Sequence, residues 1–161
     1  MNQLTPKKFI AAQGLLHLGF TFMPAMLVAV SYLQNQDSSF NLSDTSNPFF
    51  YVVPILAILG PLLGSYLYAK KKKELTKIDS LKTKLGALQA AMIINYATIE
   101  GPALLGLVAF MQSGNLFFLA IAVVLLAYLF LQRPTKAKIE RDLQLDFELK
   151  NQFNQQDTPL T

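Results

Sequence analysis

Glu100 is the one charged residue between positions 85 and 110, a run long enough to cross a bilayer as a helix. An ionisable group at that depth costs roughly 2.5–3.5 kcal/mol, so it is retained where it is paired or functional. At about 100° per residue, Gln89, Ile93, Tyr96, Glu100 and Leu107 fall on one helical stripe. Tyr96 stands one turn before Glu100, which predicts that its hydroxyl approaches the carboxyl. Gln13, His17 and Thr21 follow one another at four-residue spacing and form a second polar stripe. The two stripes are expected to face each other in a bundle interior, with His17 as the partner of Glu100.

Two chemistries fit that arrangement. In one, Glu100 is protonated or paired with His17 and joins two helices, a contribution of about 0.6–2 kcal/mol. In the other, Glu100 is a proton or cation site. One His and few carboxylates argue against a dedicated metal site. The lack of cysteine excludes disulfides and thiolate ligation of metals. No nucleophile with a base, no phosphate-binding loop and no haem-type His pair is present, so neither enzymatic activity nor a cofactor is expected.

The elements that must position these residues follow from the clustering of charge. Only 15% of residues are charged, against about a quarter in soluble domains. Four stretches, 9–33, 49–69, 85–111 and 116–132, are apolar enough to span a hydrocarbon core of about 30 Å. Backbone in lipid must satisfy its own hydrogen bonds, so these stretches are helices. The fold expected is all-α: an integral membrane bundle of four transmembrane helices over 1–135, followed by a cytoplasmic tail over 136–161.

Basic residues set the orientation. The 70–84 loop holds seven Lys against Glu74 and Asp79, and Lys7, Lys8, Arg133, Lys136, Lys138 and Arg141 flank the outer spans. The 34–48 loop carries Asp37 and Asp44 and no Lys or Arg. Both termini and the central loop are therefore expected in the cytoplasm. The same logic explains the net charge of +4 without a nucleic-acid partner. The run Lys70, Lys71, Lys72 and Lys73 would lie at the membrane surface, where anionic headgroups attract it.

The two halves align in part. Pro24 and the apolar residues after it match Pro102 and its successors, placing His17 opposite Asn95. Asn47-Pro48-Phe49-Phe50 matches Asn115-Leu116-Phe117-Phe118. Two tandem helical hairpins of the same orientation would result. Pro24, Pro54, Pro61 and Pro102 are candidate kinks, each freeing the carbonyl four residues earlier.

The string at 97–108, with Ala97 and Glu100 at its start and Gly106-Leu107-Val108 at its end, resembles the carboxylate-bearing helix of the rotary ATPase proteolipid, the ring-forming c subunit. The resemblance implies that Glu100 binds a proton. The family's glycine-repeat inner helix and its polar stalk-docking loop have no counterpart here. As a whole the chain looks like small four-span proteins of bacterial inner membranes.

The expected function is that of a multi-pass membrane protein acting as an accessory or assembly component, with proton or cation translocation through Glu100 as the alternative. Its partners would be the bilayer and a homo-oligomer or membrane complex. In the tail, Thr135 can cap a short helix from Lys136. Leu143, Leu145, Phe147 and Leu149 then alternate with polar residues, a strand-like pattern that could also bind a cytoplasmic partner. Residues 151–161 read as disordered.

Overall fold

The computed structural model describes residues 4–43 and 45–160; residues 1–3, Asp44 and Thr161, which flank the expected spans and tail, lie outside the described residues. Among the described residues six helices follow in order: α1 (Pro6–Gln34), α2 (Phe49–Leu75), α3 (Leu81–Ser113), α4 (Leu116–Leu131), α5 (Lys136–Leu143) and α6 (Phe147–Asn154). Three of them, α1, α2 and α3, are long and apolar enough to cross a membrane, and α4 with α5 adds a fourth if that bent pair is one span.

Helix ends are written locally. The Thr5 side chain accepts from the Lys8 amide and Pro6 opens α1. Gly114, in the left-handed region at φ 65°, ends α3 and turns the chain into α4. Asn115 then caps α4 by accepting from Phe117 N at 3.0 Å, while Pro48 stands at the N-cap of α2 and Asn47 before it accepts from Phe49 N at 3.0 Å.

α3 is the axis of the bundle. Half of its apolar stretch is buried, against about a tenth for α2. α2 and α4 both pack along α3 and touch each other, and α1 rests on α3 and α4. The expectation of two packed tandem hairpins is therefore corrected, because α2 is paired with α3 rather than with α1. Glycine spacing explains the choice. A Cβ at Gly60 would overlap the Thr98 carbonyl oxygen, and one at Gly64 would overlap the Thr98 hydroxyl. Only glycine lets the two backbones approach this closely. Pro102 frees that same Thr98 carbonyl from its helix, and the carbonyl points at Gly60. All four prolines expected to kink helices remain inside continuous helices, and the sharp bend, 78°, lies between α4 and α5.

Large apolar side chains are exposed in one band: Leu15 to Leu33 on α1, Tyr51 to Tyr66 on α2, and Ile94 to Met111 on α3. At about 1.5 Å per residue these stretches are ~22–27 Å long. Exposed tyrosines bracket the band, Tyr32 and Tyr51 at one end and Tyr66 and Tyr128 at the other. The first turns of α3 lie below it, where Leu81, Leu85 and Leu88 join Phe9, Ile139, Leu143 and Phe153 in a packed base continuous with the bundle core at Met92, Tyr96 and Leu129.

That base overturns two expectations for the tail. Leu143 is fully buried, Leu145 and Leu149 pack against the core, and Phe147 alone of the four is exposed. Caps decide this: Thr135 starts α5, Gln144 at φ 48° ends it, and Asp146 starts α6. Two helices replace the strand-like alternation, and three of the four apolar side chains are consumed within the chain. The segment expected to be disordered instead carries the end of α6 and the buried Leu160. Leu160 N donates to Leu4 O at 2.9 Å, and Lys7 N to Gln156 O at 3.2 Å, tying the two termini together.

Candidate functional site

The polar stripe of α1 faces inward as expected: Gln13, His17 and Thr21 are all buried. His17 does not meet Glu100. Its Nε2 stands 2.9 Å from the Leu129 carbonyl oxygen near the end of α4. A carbonyl only accepts, so Nε2 carries the proton. That carbonyl also accepts from the Gln132 amide at 3.0 Å, so the imidazole from another helix is its second donor. The expected His17–Glu100 pair is thus corrected.

Tyr96 also departs from its expected contact. Its ring lies edge-on to His17, with centroids 5.2 Å apart, and 5.7 Å from Phe20. Side chains lean toward the N-terminus of their helix, so the Tyr96 hydroxyl travels away from Glu100. Asp142, at the base, is the acid within electrostatic range of Tyr96. The Tyr96 hydroxyl and both polar atoms of the Gln13 amide have no hydrogen-bond partner among the described residues. Gln89 is half-buried and stays outside this group.

Around the end of α4 the interior polar groups converge. Asn95 Nδ2 donates to Gln132 Oε1 at 2.5 Å, and Lys138 Nζ donates to the Gln132 carbonyl at 2.9 Å. Burial pushes the Lys138 ammonium below the usual lysine range. The buried Asp142 carboxylate accepts from the Tyr68 hydroxyl and from Lys72 Nζ, each at 2.7 Å. α5 is thereby latched to α2. Of the basic run expected at the membrane surface, Lys72 is spent on Asp142 and Lys71 on Glu74 at 2.7 Å, while Lys70 and Lys73 remain exposed. The Lys71 ammonium holds the Glu74 carboxyl below its ordinary range.

Glu100 stands apart. It is half-buried in a groove of about 500 Å³ between α1 and α3, lined by Leu16, Gly19, Phe20, Met23, Pro24 and Leu104 among others. No hydrogen bond or ion pair reaches it among the described residues. The four-residue step from Tyr96 adds about 40° of rotation, enough to carry Glu100 from the interior to the α1/α3 seam. Small residues flank it: Ala97 and Gly101 are exposed, and a Cβ at Gly19 or Gly101 would meet only open space.

Two elements of this arrangement escape a reading by polar stripes. Gly60 and Gly64 carry their signal openly, as a Gly-x-x-x-Gly pair in an apolar helix. Asp142 carries none, because its neighbours in sequence are those of a soluble amphipathic helix. No group of three or more metal-ligating side chains occurs among the described residues. Comparison with protein-family models, with curated proteins and with solved structures finds no match for this chain.

Proposed function

We propose that this chain is a four-span integral membrane protein with both termini and the packed base in the cytoplasm, acting as a non-enzymatic component of a membrane assembly. The exposed apolar band with tyrosines at both edges supports the bilayer setting, since tyrosine favours the membrane interface. The lysines of the central loop and tail lie on the base side of that band, which supports the orientation. The bacterial inner membrane is the compartment we assign.

One observation carries the functional reading: Glu100 lies midway along the exposed apolar stretch of α3, open to the outside of the bundle and without a hydrogen bond or ion pair among the described residues. A carboxyl so placed is costly in lipid and is relieved by a partner helix that brings a donor or a cation. Ala97, Gly101 and Gly19 leave room for that helix to come close. A photocrosslinker at Leu104 in native membranes should join the chain to one membrane protein, or to a second copy, and Glu100→Gln should remove the adduct. Crosslinks to lipid alone would contradict the assembly reading.

A second reading is proton or cation translocation through Glu100. It is favoured by the openness of the carboxyl to the lipid phase and by the local resemblance of 97–108 to the proteolipid helix. Proteoliposomes of the pure chain decide it: a flux abolished by Glu100→Gln supports translocation, and the absence of flux with intact folding removes it.

A further inference from the structure

The groove between α1 and α4 differs from the Glu100 groove in what lies at its end. Thr21, Ala25 and Val28 of α1 and Val123, Leu126, Ala127, Phe130 and Leu131 of α4 enclose about 500 Å³. Its single polar residue, Thr21, gives its hydroxyl to the His17 carbonyl at 2.9 Å and offers nothing across the groove. Ala25 and Ala127 form a shallow floor. From Thr21 to Val28 the groove runs ~10 Å at about 1.5 Å per residue, a large part of one leaflet's ~15 Å depth.

At the lower end the chain leaves α4 and turns through the 78° corner, which brings cations to this seam. Arg133 is exposed and has no ion-pair partner among the described residues, and the same holds for the half-exposed Lys136. Arg133 and Lys138 are the two cations within electrostatic range of His17, one turn below Thr21. The charge therefore gathers at the foot of this groove, with Arg133 just past the groove-lining Leu131 and on the base side of the exposed Tyr128.

We propose that the α1/α4 groove holds one acyl chain of an anionic phospholipid whose phosphate is met by Arg133, with Lys136 and Lys138 adding to the field. The apolar wall without free hydrogen-bonding groups selects a hydrocarbon chain over a polar peptide. The unpartnered guanidinium selects a phosphate with net negative charge, which it can bind through two parallel hydrogen bonds.

The proposal rests on the bilayer reading, and partition of the full chain into the membrane fraction tests that reading separately. Native mass spectrometry of the detergent-purified chain, with added phosphatidylglycerol or phosphatidylcholine of the same chains, tests the site. One phosphatidylglycerol should be retained in preference to phosphatidylcholine. Arg133→Ala should lower its occupancy about fivefold, the size expected for one juxtamembrane cation. Ala127→Trp should displace it by filling the groove, while Lys70→Ala should leave it unchanged. Equal retention of both lipids, indifference to Arg133→Ala, or loss on Lys70→Ala instead would overturn the proposal.

Discussion

His17 and Glu100 differ in what surrounds them, and their substitutions separate accordingly. His17→Ala removes one of the two donors to the Leu129 carbonyl and leaves a cavity where the buried imidazole packed, and should destabilise the detergent-solubilised protein by about 1–3 kcal/mol. Glu100→Gln removes no intrachain partner, so stability should stay within about 0.5 kcal/mol of the wild type. Denaturant titration of both variants reads the contrast; equal losses would mean that the two residues act together inside the bundle. The polar stripe of the sequence marked the inward face of α1. It could not show where each side chain ends, because a 40° step around a helix separates interior from seam, and a stripe drawn at four-residue spacing conceals that drift.

Among the elements, α2 and α3 are held by glycine. Gly64→Ala drives a methyl group into Thr98 and should cost about 1–3 kcal/mol, with loosening of α2 visible as faster proteolysis of the 70–84 loop. Gly101→Ala meets open space and should leave stability within about 1 kcal/mol of the wild type, which the same denaturant titration checks. Long apolar helices were legible because lipid-facing and core-facing positions are both apolar, so hydropathy alone marks them. The same fact hid the true beginning of the exposed band on α3. Leu81, Leu85 and Leu88 count as apolar in a sequence window, although protein, not the band surface, covers them. In the tail, alternation of Leu143, Leu145, Phe147 and Leu149 gave the wrong period. The caps Thr135 and Asp146 set two helices of eight residues each; Leu143 and Leu149 on them and Leu145 between them turn inward, while Phe147 faces out.

The whole molecule has two parts with different surfaces, an apolar band and a charged, capped base. The base joins the chain's beginning, its central loop and its end through Phe9, Leu75, Leu81, Ile139 and Phe153. At the opposite end the 34–48 loop is fastened to the α3–α4 turn, with Asn115 Nδ2 donating to Asn41 O at 2.6 Å and Leu116 N to Ser39 O at 3.0 Å. Because the natural chain has no cysteine, single cysteines report topology cleanly. In intact cells, Asp37→Cys should react with a membrane-impermeant maleimide, and Lys77→Cys should react only after permeabilisation. The reverse pattern would invert the orientation.

The account turns on whether the Glu100 carboxyl is open in the isolated chain and covered in the assembly. A hydrophobic carbodiimide measures this directly, with mass spectrometry locating the adduct. In the purified protein Glu100 should be modified and Glu100→Gln should be inert. In native membranes the modification should fall sharply if the proposed partner helix occupies the α1/α3 groove. An unreactive Glu100 in the purified chain, or equal reactivity in both settings, would contradict the account.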